Sequence, residues 1–193
     1  MGNKNSRASG PALPKGVATK LSGLGFSEAE LQALCFVFCS MITSKQGTEF
    51  LSLSEFQTAL GFKQMTSLFL ERVFKIMDSD NDSKLTFPEF VTGIAAFSPV
   101  QSDIKVKFGF KIFAGPTGET ISHADLKLLL SSILKENNIE MTSSQVDDMV
   151  TQTFETYDRD NDGFINYKEF QNMCETKASV LKHLTINIAE IMV

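Results

Sequence analysis

The chain has 193 residues, 42% of them hydrophobic, and its 18 basic and 23 acidic residues give a net charge of −5. This length and composition exclude a disordered or fibrous chain and allow one large domain or two small lobes. The acidic balance argues against nucleic-acid binding, because phosphate contacts need clustered Lys and Arg. The 17 Phe residues predict a core rich in Phe.

Residues 1–20 are predicted to form a flexible basic tail. The first six residues, Met1 to Ser6, fit the pattern for N-myristoylation, with Gly2 as the lipidated residue. A single acyl chain binds a bilayer only weakly, so the basic residues of the tail would add attraction to anionic lipid. We therefore expect a cytoplasmic protein attached peripherally to the plasma membrane or an endomembrane. The alternative is an unmodified tail that happens to begin with Gly.

The three cysteines form no C-x-x-C pair and are predicted to be reduced, buried thiols. They are Cys35, Cys39 and Cys174. The sequence contains no apolar run near the roughly 18 residues of a membrane-spanning helix. It also begins without the apolar segment of a secretory signal, which favours an intracellular protein.

A twelve-residue loop recurs four times along the chain. The first copy, Ser44–Glu55, has Leu51 at the apolar eighth position, but uncharged polar residues stand where a calcium loop has acids. We predict a helix–loop–helix unit without calcium in this place.

The second copy, residues 78–89, fills every oxygen position of the pattern D-x-[DN]-x-[DN]-G-x5-E. Its predicted ligands are Asp78, Asp80, Asp82, Lys84 through its backbone carbonyl, Thr86 and Glu89. Ser83 replaces the usual Gly, and holding Ser at positive φ costs on the order of 1 kcal/mol, up to tenfold in affinity. We expect this loop to bind calcium, but more weakly than an ideal site.

The third copy, Ala114–Asp125, follows a break at Pro99 and keeps Ile121 at the eighth position. Ala, Pro and Gly replace its other acids, so we expect it to hold no metal. Its Gly residues suggest a phosphate loop only weakly, because the Gly-Lys-[Ser/Thr] ending is missing.

The fourth copy, residues 158–169, matches the full pattern, including Gly163 at the sharp turn. Its predicted ligands are Asp158, Asp160, Asp162, Phe164 through its backbone carbonyl, Asn166 and Glu169. The alternative for this loop is a solvated acidic turn. The sequence therefore predicts two Ca²⁺ ions, one in the second unit and one in the fourth.

Four helix–loop–helix units predict an all-α protein of the EF-hand type, with the units paired in two lobes. Pairing is expected because one unit alone cannot bury its apolar faces. The eighth residues of paired loops, Leu51 with Leu85 and Ile121 with Ile165, are predicted to form short antiparallel β contacts.

The lobe boundary is predicted at the break near Pro99, which gives an N-terminal lobe of residues 21–98 and a C-terminal lobe of residues 103–193. The segment 181–193 is apolar on much of its surface. We expect it to be either a closing helix or a lid over a binding groove.

The loops, together with four further segments, resemble the calcineurin B-like family of EF-hand calcium sensors, which includes calcineurin B and the plant calcineurin B-like proteins. The segments are Gly25–Ser27, Glu71–Phe74, Lys107–Phe113 and Ser179–Thr185. The resemblance implies a calcium-sensing regulatory subunit that grips an amphipathic helix of a Ser/Thr protein kinase or phosphatase. The Cys-Pro signature of the recoverin-type sensors is missing from the first unit.

We expect metal binding to relieve repulsion among the loop carboxylates and to draw Glu89 and Glu169 inward. In sensor-type pairs this uncovers an apolar groove that accepts a partner helix. The candidate groove residues are Leu31, Leu34, Val37, Phe38, Leu68, Phe69 and Met77.

Other functions compete with this interpretation. A calcium buffer or a recoverin-type sensor would lack a dedicated kinase or phosphatase partner. A buffer gains nothing from two loops without ligands, and it would expose little new apolar surface with calcium. Catalysis is not expected, because His123 and His183 are the only histidines available for acid–base work and neither lies in a catalytic motif.

Overall fold

The computed structural model describes residues 13, 17, 21–44, 49–61, 67–96 and 102–176. Within these ranges the chain forms eight α-helices and four two-residue strands, which confirms the predicted all-α class. In chain order they are α1 (Glu28–Met41), β1 (Phe50–Leu51), α2 (Leu53–Ala59), α3 (Leu68–Met77), β2 (Leu85–Thr86), α4 (Phe87–Ala95), α5 (Ser102–Ala114), β3 (Ile121–Ser122), α6 (His123–Glu136), α7 (Ser143–Tyr157), β4 (Phe164–Ile165) and α8 (Tyr167–Thr176). None of the described helices combines the length and the apolar character that crossing a bilayer requires.

The strands join the loops in pairs. Strands β1 and β2 are antiparallel, with Leu51 opposite Leu85. Strands β3 and β4 are antiparallel as well, with Ile121 opposite Ile165. These are the contacts that the eighth loop positions predict, and all four side chains are at most 2% exposed. Each strand pair therefore fixes two helix–loop–helix units to one another.

The core is rich in Phe, as the composition predicts. In the N-terminal half, the ring of Phe38 lies 5.6 Å from that of Phe87 and 5.3 Å from that of Phe90. In the C-terminal half, Phe170 is fully buried between Phe110 and Phe113, at 5.6 and 5.8 Å. Each half thus contains a fully buried Phe, Phe90 or Phe170, on the helix that follows an acidic loop.

The first helix begins where its sequence supplies a cap. Ser27 accepts a hydrogen bond from the backbone N–H of Glu30, and the Glu30 carboxylate accepts one from the backbone N–H of Ser27 at 2.8 Å. This reciprocal capping box satisfies two backbone donors that a helix start leaves without partners.

The two halves are in contact through α3. This helix packs against α2 and α4 of its own half and also against α5 and α6 of the other half. Since α3 leads directly into the loop 78–89, the C-terminal half touches the element that shapes that loop.

Some predicted features lie outside the described residues: the lipidation site Gly2, the break at Pro99, His183 and the segment 181–193. Val17, which falls in the predicted tail, is described and is only 7% exposed. Val17 therefore belongs to the hydrophobic core.

The prediction of three buried thiols is wrong for Cys39. All three cysteines are free thiols, but Cys39 is exposed, whereas Cys35 and Cys174 are buried. Burial raises the pKa of Cys35 to about 11, with Cys39 as a further contribution, and burial likewise raises the pKa of Cys174 to about 11. The buried face of α1 is formed by residues that include Cys35 and Phe38. Cys39 is exposed because its side chain lies outside this face.

Candidate metal sites

Two groups of three aspartates form the most concentrated acidic clusters of the described chain. One carboxylate oxygen from each of Asp78, Asp80 and Asp82 lies within 4.8 Å of the others, and the same holds for Asp158, Asp160 and Asp162. Each cluster begins at the residue that directly follows a helix. There the backbone N–H groups of Asp78 and Asp158 donate to the carbonyl oxygens of Phe74 and Phe154.

The two clusters share one hydrogen-bond pattern. Asp78 accepts backbone N–H bonds from Asp82 at 3.1 Å and from Ser83 at 2.9 Å. Asp158 accepts the corresponding bonds from Asp162 at 3.2 Å and from Gly163 at 2.9 Å. The loop backbone therefore holds the first aspartate of each cluster in the same orientation, although the surrounding side chains differ.

The loops turn through left-handed backbone positions. Ser83 has φ of 63°, and Gly163, at the matching position, has φ of 83°. Asn81 and Asn161 are left-handed too, at 58° and 56°. Ser83 thus adopts the conformation that the sequence assigns to it, and Gly is the residue that holds this conformation without strain.

The closing glutamates serve as helix caps. Glu89 accepts hydrogen bonds from the backbone N–H and the hydroxyl of Thr86, at 3.0 and 2.7 Å, with one oxygen. Its other oxygen accepts from the backbone N–H of Ser79 at 2.9 Å. Glu169 accepts backbone N–H bonds at the corresponding positions, from Asn166 at 2.9 Å and from Arg159 at 2.8 Å. The 4.8 Å clusters consist of the aspartates alone, and the oxygens of both glutamates are engaged in the bonds just described.

Local hydrogen bonds and charges shift the acidity of these groups. Burial of Glu89 acts to raise its pKa, but the bonds from Thr86 and Ser79 outweigh burial and lower it. Loss of hydration and the charges of Asp162, Glu169 and Asp158 raise the pKa of Asp160, against the Asp162 N–H bond that lowers it. Adjacent carboxylates therefore repel one another where a cation would relieve them.

The donor set of both loops fits a hard divalent cation. Carboxylate and carbonyl oxygens are the ligands that Ca²⁺ takes, six to eight at a time. The side chains of Thr86 and Asn166 are engaged in helix caps, Thr86 with Glu89 and Asn166 with the backbone of Lys168 and Glu169. Thr86 and Asn166 occupy the ninth position of their loops. Each is therefore suited to bind the cation through a water molecule rather than directly.

The first loop differs from its prediction in length. Helix α1 ends at Met41 and its cap is Ile42, so the loop runs for fourteen residues, Ile42–Glu55, instead of the predicted twelve from Ser44. Glu55 accepts six hydrogen bonds, which come from the backbone N–H and hydroxyl groups of Thr43, Ser44 and Ser52. Although burial opposes the shift, these bonds lower the pKa of Glu55. Its carboxylate is satisfied without a metal.

The third loop ends in Asp125, and a cationic side chain faces that acid. The guanidinium of Arg72, on α3, lies 3.4 Å from the carboxylate. Ser122 caps α6 and donates to the other carboxylate oxygen at 2.6 Å. His123 is exposed, and its ring stacks on Phe154 with centroids 3.5 Å apart.

Several of these residues were absent from the sequence-based prediction. The caps Ser52 and Ser122 carry a local signal, because each stands three residues before the final acid of its loop. Arg72 carries no such signal, since nothing near it in the sequence indicates a contact with Asp125.

The predicted groove residues are mostly part of the core. Leu31, Phe38, Phe69 and Met77 are buried, and Leu34, Val37 and Leu68 are half-buried. The buried stripe of α1 faces α4, which explains why its members are unavailable as a surface in this structure. Phe36, which was not predicted, is 61% exposed.

The paired units and their acid-ringed loops define a protein of the EF-hand calcium-binding class. A family profile described as EF hand domain matches residues 149–177. The chain is 31% identical to Calcineurin B-like protein 5 of Arabidopsis thaliana over 163 residues, which cover 83% of this chain and 80% of the relative. It is 30% identical to calcineurin B of Candida glabrata over 178 residues, 92% of this chain and 97% of the relative. The chain therefore belongs to the calcineurin B-like family of EF-hand calcium sensors, as the sequence motifs predict.

Proposed function

We propose that this chain is a calcium-sensing regulatory subunit that binds an amphipathic helix of a Ser/Thr protein kinase or phosphatase catalytic subunit. The observation that carries the proposal is the pair of matched aspartate clusters, at 78–82 and 158–162, each followed by a glutamate at the start of a helix. Membership of a family that includes calcineurin B supports the same role.

The aspartates and the closing glutamate of each loop have different roles in this proposal. A bound calcium ion supplies the positive charge that the cluster of carboxylates lacks. The three aspartates are already close together, so they require little rearrangement. Glu89 and Glu169 lie in the first turns of α4 and α8 and would exchange their bonds to Ser79 and Arg159 for the metal position. Because each glutamate belongs to its helix, that exchange turns the helix relative to the one before the loop.

A cavity beside the second loop offers a place for the partner. It has a volume of about 570 Å³ and lies between α3, α4 and α5, with Ser79 and Glu89 in its wall. The other lining residues are largely apolar and include Ile76, Met77, Ile104, Phe108 and Tyr167. A turn of α4 changes the shape of this cavity, which would admit an apolar anchor residue of an amphipathic helix.

We also propose that Gly2 carries a myristoyl group and that the basic tail adds affinity for anionic lipid, holding the protein at the cytoplasmic face of a membrane. The test is co-sedimentation of the acylated chain with vesicles that contain phosphatidylserine. A Gly2→Ala chain, which cannot be acylated, is expected to stay in the supernatant. Equal sedimentation of the two chains would refute the lipid anchor.

The regulatory role is tested by affinity capture from a native lysate, with calcium in one sample and a chelator in the other. We expect a kinase or phosphatase catalytic chain in the calcium sample of the wild type and its loss from a Glu89→Gln, Glu169→Gln double variant. Identical captured proteins in all samples would reject calcium-dependent recruitment.

A calcium buffer is the competing function, and the isolated chain distinguishes it. A sensor should bind more of a hydrophobic fluorescent probe when calcium is added, whereas a buffer should show little change. We propose no catalytic activity for the chain, and incubation with generic phosphoester and peptide substrates should give no turnover.

A further inference from the structure

Helix α3 leads into the loop 78–89, but polar contacts attach it to the other half of the molecule. At its N-terminus, Ser67 is fully buried and donates its hydroxyl to Glu136 at 2.9 Å. The second oxygen of Glu136 accepts from Ser132 at 2.7 Å, so the carboxylate is held by both α3 and α6. The start of α3 is therefore fastened to the end of α6.

The second attachment is Arg72. Its guanidinium donates to the carbonyl oxygens of Ile112 at 2.7 Å and Phe113 at 3.4 Å, and it lies 3.4 Å from the carboxylate of Asp125. The Arg72 side chain is only 11% exposed. Ile112 and Phe113 lie in the last turn of α5, where carbonyls lack helical partners and the helix dipole attracts a cation.

These contacts join Arg72 to both ends of the third loop. Asp125 is the closing acid of that loop, and Ile112 and Phe113 lie at the end of α5, the helix that enters it. The loop has no other acid at its early positions, but the planar fork of Arg72 supplies a fixed positive charge that binds carboxylate and carbonyl oxygens together.

Gly115 makes the close approach sterically feasible. It has φ of 66°, and a Cβ there would lie 2.4 Å from an oxygen of Asp125 and 3.2 Å from the Arg72 guanidinium. A side chain at this position would push the ion pair apart. The loop backbone is thus shaped around the guanidinium rather than around a ring of aspartates.

We propose that the guanidinium of Arg72 replaces a metal ion in the loop 114–125 and transmits occupancy of the site at 78–89 to the C-terminal half. The second part rests on the proposed calcium binding at 78–89. Arg72 and Asp78 are six residues apart, about 9 Å along one helix axis. A movement of α3 that follows binding at Asp78 therefore moves the guanidinium against α5 and Asp125.

The ion pair is tested first without calcium. Urea unfolding in metal-depleted buffer compares wild type, Arg72→Gln, Asp125→Asn and the double variant. We expect the two single changes to lower the unfolding midpoint and the double variant to lower it by less than their sum. Additive changes would overturn the role of Arg72 as the cation of the third loop. Lys75→Gln removes the same charge from the exposed face of α3 and should leave the midpoint nearly unchanged.

Transmission is tested by methyl NMR of the full chain during calcium titration, with Glu169→Gln in every sample so that 78–89 is the intact site. Leu85 reports on that site, whereas the buried Ile112 and Leu129 report on the C-terminal half. We expect all three methyl signals to shift in the parent chain and in Lys75→Gln. In Arg72→Gln, the shift of Leu85 should remain and those of Ile112 and Leu129 should fall at least severalfold.

Each result of the titration has a separate meaning. Undiminished shifts of Ile112 and Leu129 in Arg72→Gln would overturn the transmission while calcium binding at 78–89 stood. A response of Leu85 alone in the parent chain would overturn it as well. No response of Leu85 in the parent would refute calcium binding at 78–89 and the transmission with it. If Arg72→Gln does not fold, Asp125→Asn removes the same ion pair from the opposite side and takes its place.

Discussion

The loops 42–55 and 78–89 both end in a glutamate that caps a helix, but the two glutamates have different surroundings. Glu55 is surrounded by donors, with six hydrogen bonds from amide and hydroxyl groups. Glu89 accepts four bonds from Ser79 and Thr86 and closes a loop that also carries a cluster of three aspartates. The loop of Glu55 contains no aspartate, whereas Glu89 shares its loop with three further acids.

The difference shows how an EF-hand loop can compensate the negative charge of its closing acid. A carboxylate removed from water needs compensating donors or charges. In 42–55, Thr43 and Ser44 donate hydrogen bonds to Glu55, and in 114–125 a guanidinium faces Asp125. In 78–89 and 158–169, we propose that a bound cation provides this compensation. On that proposal the four loops compensate their acids in three different ways, although the loops are paired by the same kind of strand contact.

The largest expected effect of this difference is on calcium affinity. Glu169→Gln should weaken binding at 158–169 on the order of 100-fold or more, because it removes the charge of the bidentate ligand. Glu89→Gln should act similarly at 78–89. Glu55→Gln should leave the calcium affinity of both sites unchanged, because the Glu55 carboxylate is hydrogen-bonded within its own loop. Isothermal titration calorimetry of the three variants and the wild type provides the measurement.

The calorimetric series would contradict the distinction in either of two cases. Loss of a binding step in Glu55→Gln, as complete as the loss in Glu169→Gln, would make the first loop a metal site. Equal calcium binding by the wild type and Glu169→Gln would mean that the acidic loops do not depend on their closing residue.

The next effect concerns stability without metal. Glu55→Ala should lower the free energy of unfolding by about 2 kcal/mol, because it leaves the amide and hydroxyl donors of the loop without their acceptor. The measurement is urea unfolding in the presence of a chelator. Glu140→Ala, which removes an exposed glutamate, is the matched control and should change stability by less than about 0.5 kcal/mol. Similar losses in both variants would mean that the hydrogen bonds of Glu55 do not add to the free energy of unfolding.

The sequence predicts those parts of the fold that depend on local patterns. The spacing of Leu51 and Leu85 within their loops indicates their pairing, and the acids at alternate positions indicate the two clusters. The Arg72 contact with Asp125 joins residues 53 positions apart and depends on how the two halves pack. The sequence also did not indicate that the first loop starts at Ile42. No Gly, Pro or acidic residue at Ile42 or Thr43 marks the end of the helix there. Local patterns thus specify the elements and the pairing of neighbouring loops, but not the contacts between the two halves.

The acidity of Glu55 leads to a pH dependence of stability. Its pKa in the folded chain lies below the ordinary value of 4.5. The folded state therefore releases this proton more readily than the unfolded state does, and the resulting stability is fully present above about pH 4.5. It is lost as the pH falls below that value toward the folded pKa. Unfolding in metal-depleted buffer from pH 7 to 3 should show the advantage of wild type over Glu55→Gln shrinking in acid. A constant advantage across this range would contradict the shifted acidity.

The smallest expected effect distinguishes the two acidic loops from each other. Ser83 has φ of 63°, where a side chain is strained, and Gly163 occupies the same place in the other loop. Ser83→Gly should therefore strengthen calcium binding at 78–89 by about fivefold, equivalent to about 1 kcal/mol of strain. Gly163→Ser should weaken binding at 158–169 by a similar factor, and the Ser83→Gly, Gly163→Ser double variant should exchange the order of the two affinities. If calorimetry finds the order unchanged in the double variant, backbone strain at this position does not set the relative strength of the two sites, and the neighbouring Lys84, which lies 4.0 Å from Asp82, becomes the next residue to vary.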